Sequence, residues 1–496
     1  MREVHGGLQR MGRRTIYPAF LAALVSVALP ALVRGAGVES LDARINALLA
    51  SDLVKGASIS LDVVEIGPSR STELYAHNAT LPLGPASNCK LLTTAAAFET
   101  YGPKATFKTY LYKIGDDLAI VGGGDPALGD AKLAQEAGTS ITAPFERWAT
   151  ALKQAGITHY RNLIVDDRVF DTQWIHPNWP AKDLMDWYSA PVGGLSFNVN
   201  CLDWLPTVSG KTVGVELIPN TSYVQVDIQA TRGAETRVSM VRPATSNHFE
   251  MRGTVAPGAG SGAAGEPFSV PIYDPGLWTG TILRDVLAAA GISGSGGVMR
   301  LGADEHLGAG VLVASHETPL LAVIGRANKN SINMMAESLC KRLGHDATGK
   351  PGSWASGTAA VTAYVTHLGA DPSWLSLDDG SGLSSKNRVA AKAFTTVLAH
   401  VAQVPDGHFF IESLAIPGED GTLKKRFKGM GVSAAVHAKT GHITGVSTLS
   451  GYIEVSGTTG SDRLFAFSIL CNKYQGNVNP WQDQVCEAIY TWALQK

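Results

Sequence analysis

An excess of charge is the first thing missing: among 496 residues, 41 Lys+Arg stand against 43 Asp+Glu, and only 17% of the chain is charged. Without a basic stripe there is no electrostatic footprint for nucleic acid or an anionic membrane, because both partners require clustered cations that release counterions. Disorder is excluded for the bulk of the chain, since 45% hydrophobic residues with so little charge can bury a core. Cysteine is sparse, and Cys89, Cys201, Cys340, Cys471 and Cys486 make an odd count, so at least one stays outside any pairing within the chain. No Cys-x-x-Cys and no His-Glu-x-x-His occurs, so neither a metal nor a cofactor is indicated. A Gly-x-Ser-x-Gly elbow is also missing, which disfavours a Ser-His-Asp hydrolase.

What is present begins with a targeting pattern. Arg2, Arg10, Arg13 and Arg14 precede an apolar run from Ile16 to Val33, broken by Pro18 and Pro30 and followed by small residues at 35–37. This predicts a secretory signal over 1–36; a membrane anchor is the competing reading, and the two prolines and the small-residue exit weigh against it. No later window is apolar for long enough to span a bilayer, so the mature chain is expected to be periplasmic or secreted, with no stable membrane span.

Beyond the signal, 57–65 alternates apolar and polar residues as a half-buried strand does, and 87–101 reads as a helix stopped by Gly102-Pro103. The stretch 105–268 changes character, with short strand candidates at 163–165, 213–218 and 223–228 between Gly, Pro, Asn and Asp turns. It closes on a low-complexity run, 257–267, of the kind that marks a solvent loop or boundary. Helical patterns return at 278–290 and at 332–343 ending on Gly344, then strand patterns at 437–439, 447–455 and 463–471, then a helix over 481–494. Strands at both ends with helices between predict an α+β fold whose sheet is assembled from remote segments. On this reading 37–104 and 269–496 form one domain, interrupted by an inserted, β-rich region at 105–268.

Three short elements carry the chemistry. Ser87-Asn88-Cys89-Lys90 places a hydroxyl and an amine one helical turn apart. About two Ser-x-x-Lys patterns arise by chance in a chain of this length, so the setting decides. The helix N-terminus favours an oxyanion, and the apolar sequence beyond Lys90 predicts a desolvated amine that can exist neutral and serve as the base serine needs. Ser331-Ile332-Asn333 opens another helix, where a helix cap is the bland reading; Ser196-Phe197-Asn198 and Ser385-Lys386-Asn387 fit the same pattern, and position separates them. Lys439-Thr440-Gly441 lies on a strand-like flank that can pair with an extended peptide, with Gly441 leaving room for close approach. Lys439 and Thr440 offer positive charge and a hydroxyl to a carboxylate.

In this order, the three elements resemble the signature of serine β-lactamases and penicillin-binding proteins. Within that superfamily the chain is similar to the D-alanyl-D-alanine carboxypeptidase/endopeptidase family of low-molecular-mass penicillin-binding proteins, peptidase family S13. Further stretches carry the likeness, among them 122–128, 189–192, 379–388 and 418–426.

The resemblance implies a β-lactamase/DD-peptidase-like domain, an antiparallel sheet covered by helices, acting on peptidoglycan stem peptides and acylated by β-lactam antibiotics. It assigns the nucleophile to Ser87, its base to Lys90, a proton relay to Ser331, orientation to Asn333, and carboxylate binding to Lys439, Thr440 and the residue after Gly441. That residue is His442, where relatives carry Thr or Ser; when protonated it adds charge for a carboxylate. The backbone N–H groups of Ser87 and His442 are implied as the oxyanion site. Asp183 and Arg388 are the matching positions for the zwitterionic end of the stem peptide's third residue. A Glu-x-x-Leu-Asn segment of the kind that deacylates class A β-lactamases is absent between Ser331 and Lys439, which predicts a lasting penicilloyl adduct. Two other classes stay open: a secreted esterase on the same fold, and a noncatalytic wall-binding protein whose working part is the insertion.

Overall fold

A computed structural model describes residues 39–259, 266–456 and 462–495. The expected signal at 1–36 lies outside the described residues, as does the middle of the 257–267 run. Among the described residues no helix is long and apolar enough to cross a membrane.

Five antiparallel strands form the central sheet in the order Val436–Ile443, Val446–Val455, Arg463–Asn472, Ser58–Ile66, Ser71–His77. Strand Ser58–Ile66 thus pairs with its sequence neighbour Ser71–His77 on one side and with a strand from the far end of the chain on the other, with Leu61 opposite Ile469. The two-residue period divides the strands between two cores. Phe465, Phe467, Ile469 and Cys471 join Leu61 and Val63 under the closing helix Asn479–Ala493, while Ala466 and Leu470 face the helix Ala391–Val401.

Behind the sheet runs the helix Cys89–Tyr101, whose residues from Cys89 to Phe98 are all buried. A side chain can be buried all round a helix only where other helices surround it, and here Leu320–Lys329, Asn333–Thr348, Trp354–His367 and Ala391–Val401 do so. The expected stop at Gly102 holds, with φ +75°. The expected stop at Gly344 does not: that helix continues to Thr348 and ends on Gly349. Gly344 is instead a contact point, because a Cβ there would overlap Ser356 Oγ and the Gly357 amide of helix 354–367.

A second sheet, Val298–Arg300, Leu163–Asp166, Asp117–Gly122, Thr106–Ile114, Val311–Pro319, is built mainly from the inserted stretch. Its core holds Leu118, Ile120, Phe145, Trp148, Val165, Trp278 and Ile282. Smaller antiparallel and mixed sheets over 201–271 extend it. The expected boundary at 268 is therefore too early, since helix Pro275–Ala289 and strands 298–300 and 311–319 pack with this second body. The helical period over 278–290 shows an apolar face but not what it covers. The partner is settled at Gly280, where a Cβ would sit 2.6 Å from Val165 Cγ2 and 2.8 Å from Val298 Cγ1.

Candidate active site

Ser87 lies in a single 3-10 turn, Ala86–Asn88, that leads into helix 89–101. Ala86 takes the left-handed region at φ +44°, an unfavourable conformation for a residue with a Cβ, and so turns the chain sharply before the serine. Lys90 Nζ donates to Ser87 Oγ at 2.9 Å, to Asn333 Oδ1 at 2.6 Å and to the Ser381 carbonyl at 3.0 Å. Asn333 Nδ2 donates in turn to the Tyr188 carbonyl at 2.7 Å, which fixes the face the amide shows to the lysine.

Lys90 is fully buried, and burial brings it down to about 8 against the opposing pull of Glu337 and Asp379. Two of its three partners, a side-chain amide oxygen and a backbone carbonyl, can only accept. A neutral amine therefore keeps both hydrogens on Asn333 and Ser381 and turns its lone pair toward the one partner with a proton to give, the Ser87 hydroxyl. The geometry suits removal of that proton.

The second amine arrives on the edge strand 436–443. Lys439 Nζ, also fully buried, donates to Ser331 Oγ at 2.9 Å and to the Thr440 carbonyl at 2.6 Å. Burial, and then the neighbouring charge of Lys90, hold its ammonium well below the ordinary lysine range. Ser331 itself is in the left-handed region at φ +60°, just ahead of helix 333–348. Gly441 lets the strand pass the serine turn, because a Cβ there would lie 2.9 Å from the Ser87 nitrogen and from the Pro85 carbonyl.

These groups border a cavity of about 740 Å³ whose walls include Ser87, Ser331, Asn333 and His442. Asp183 and Tyr188 also line it. Thr440 faces the rim, donating to Thr422 Oγ1 at 2.7 Å, and Thr422 also lines the cavity. His442 is exposed, with Nδ1 3.4 Å from the Tyr474 hydroxyl. The structure does not bring Arg388 to this cavity. Its guanidinium turns back onto the Ser385 and Asn387 carbonyls, both at 2.7 Å, as a side chain beside two free carbonyls of its own turn readily does.

Sequence reasoning missed Thr422, Ser381 and two buried carboxylates. Glu337 accepts from the amides of Gly380 and Ser381 and from Trp354 Nε1, each at 2.8 Å. Burial, then Asp379, push it above the ordinary carboxylate range. Asp379 accepts from the amides of Gly382 at 2.7 Å and Ser384 at 2.6 Å and from Trp179 Nε1 at 3.0 Å. One signal was available: Glu337 stands four residues after Asn333 on the same helix face, a charge in the largely apolar run 334–340.

The profile of the D-Ala-D-Ala carboxypeptidase 3 (S13) family matches residues 41–494. The chain belongs to this family. As an S13 protein it is a serine-type peptidase, and it is 29% identical to the D-alanyl-D-alanine carboxypeptidase of Actinomadura sp. over 95% of this chain and 88% of that one. A D-alanyl-D-alanine carboxypeptidase DacB from Haemophilus influenzae is 27% identical over 61% of this chain and 64% of its own. The crystal structure of Haemophilus influenzae penicillin binding protein 4 superposes with a TM-score of 0.72 at 24% identity, covering 91% of this chain and 99% of that one. That likeness shows the shared α+β fold: a helix-covered antiparallel sheet bearing additional β-rich structure.

Proposed function

We propose that this S13 enzyme cleaves D-Ala-D-Ala or D-Ala-diaminopimelate bonds of peptidoglycan stem peptides through an ester on Ser87. Ser87 Oγ attacks the carbonyl carbon of the penultimate D-Ala while Lys90 takes the hydroxyl proton. The backbone N–H groups of Ser87 and His442 hold the oxyanion. The C–N bond breaks as Ser331 passes a proton to the departing nitrogen, replenished through Lys439. Water then hydrolyses the ester, returning Ser87 and releasing the shortened peptide.

Lys439, Thr440 and His442 receive the carboxylate of the leaving residue, and Asp183 offers an anion to the free amino group of the third residue. The observation that carries the reading is the convergence, at one cavity, of the Ser87–Lys90–Asn333 cluster with the Ser331–Lys439 pair. Glu337 does not line that cavity and gives both oxygens to N–H donors, so it is not placed to activate a deacylating water. With no Glu-x-x-Leu-Asn segment between Ser331 and Lys439 either, β-lactams inhibit by a persistent adduct. Action on stem peptides sets the enzyme outside the cytoplasm, in the periplasm or secreted.

Intact-mass analysis after benzylpenicillin tests this, with Ser87→Ala as control, followed by assay of free D-Ala from defined muropeptides. The expected result is one stable penicilloyl adduct on the wild type, none on the variant, and release of D-Ala. An adduct without D-Ala release points to an esterase on the same fold; no adduct at all points to a noncatalytic wall-binding protein.

A further inference from the structure

Beneath the site, the turn 379–382 presents the Ser381 carbonyl to Lys90, and its orientation is set from two sides. The peptide unit joining Ser381 and Gly382 is planar, so its C=O and N–H point in opposite directions. Asp379 draws the N–H at 2.7 Å, leaving the C=O aimed at Lys90 Nζ, 3.0 Å away. The two preceding peptide units are held by Glu337, through the amides of Gly380 and Ser381. Gly380 must be a glycine for this, since a Cβ would lie 2.6 Å from Cys340 Cβ. Glu337 is fully buried, and its third donor is the indole of Trp354.

We infer that Glu337 is a positioning residue of this peptidase: its carboxylate anchors the Gly380–Ser381 backbone so that the Ser381 carbonyl meets the Lys90 amine, and its negative charge sets the proton balance of that amine. The inference rests on the reading of Lys90 as the base for Ser87. The ionisable groups facing Lys90 are Glu337 on helix 333–348, Asp379 on the turn, Cys89 on its own helix and Lys439 on the edge strand. Those facing Glu337 are Asp379 and, from its own helix, Cys340 and Lys341, with Lys90 and Cys89 opposite. Of the two anions acting on Lys90, Glu337 is the stronger.

The second-order rate of Ser87 acylation by benzylpenicillin, followed against pH, tests the inference in Glu337→Gln and Glu337→Asp, with thermal unfolding to verify folding. Removing the charge lets Lys90 lose its proton at lower pH, so the acid limb of Glu337→Gln moves down by about one pH unit. The plateau falls roughly 10- to 100-fold as the carbonyl drifts. Glu337→Asp keeps the charge, so its limb stays in place while its plateau falls. An unmoved limb in Glu337→Gln, or the same displacement in both variants, overturns the inference, because a merely structural role lowers the rate at every pH alike. If Glu337→Gln does not fold, Trp354→Phe decides: losing the indole donor disfavours the Glu337 anion, so the acid limb moves down along with the plateau, whereas a limb that stays in place overturns the inference. A wild type that forms no adduct removes the Ser87 reading itself, and this inference with it.

Discussion

The proposed role of Lys90 as the base rests on the shortage of places its hydrogens can go. With Asn333 Oδ1 and the Ser381 carbonyl as its other partners, the amine is useful only when neutral, and burial brings that form within reach at about pH 8. Acylation by peptide or penicillin is therefore expected to rise through pH 8 and level off above it. Lys90→Gln should lower the acylation rate roughly 100- to 10,000-fold, the range of a lost general base, and stopped-flow acylation over pH 6–10 would measure both effects. Stability carries the same signature. The folded value lies below the ordinary 10.5, so between pH 8 and 10.5 the unfolded chain holds the extra proton and stability rises with pH. It is lost again as pH falls through 8.

Ser87, Lys90 and Lys439 were legible in the sequence because their order along the chain resembles a known signature. Glu337, Ser381 and Thr422 were not, because they act through backbone groups or a neighbour's hydroxyl, and no spacing records which amide a carboxylate will meet.

At the scale of elements, local pattern located the helices that carry Lys90 and Asn333, the closing helix and most strands of the central sheet, passed over helices such as Leu320–Lys329, Trp354–His367 and Ala391–Val401, and misread two boundaries for one reason. Glycine was taken as a stop at 344, and low complexity as a border near 268, whereas both positions are decided by what packs against them. Two of the helical glycines, Gly344 and Gly325, make the point testable. Ala is favoured over Gly inside a helix by about 1 kcal/mol, and a Cβ at Gly325, in helix 320–329, meets nothing within 4 Å. Gly325→Ala should stabilise by up to that amount. Gly344→Ala gains the same propensity but forces helix 333–348 away from helix 354–367, an overpacking cost of about 1–3 kcal/mol. Opposite signs in urea unfolding are the expected outcome. Since Asn333 and Glu337 ride on the first of these helices, Gly344→Ala should also slow acylation.

Across the whole molecule, the inserted body forms part of the site. Arg326 pairs with Asp130 at 3.0 Å and Lys341 with Asp171 at 2.7 Å, joining helices of the catalytic body to the insertion. Tyr188 lends its carbonyl to Asn333, and Trp179 its indole N–H to Asp379. The change of character over 105–268 predicted an insertion; that it returns to support the turn beside Lys90 depends on contacts hundreds of residues apart and was not readable. Two tryptophans of the same segment separate support from recognition. Trp179 is buried in a small core with Met334, Trp354 and Leu383, and Trp179→Phe leaves a buried carboxylate short of a donor, a loss of about 1–3 kcal/mol. Because Asp379 also steers the Gly382 amide, that variant should acylate more slowly with any substrate. Trp187 is 42% exposed on the cavity wall, and Trp187→Ala should alter stability by less than about 0.5 kcal/mol. Its effect should fall on KM for stem peptides and leave the penicillin acylation rate nearly unchanged. Denaturant unfolding with parallel peptide and penicillin kinetics measures both. A Trp187 variant as unstable as Trp179→Phe would mean that the rim, too, belongs to the supporting framework.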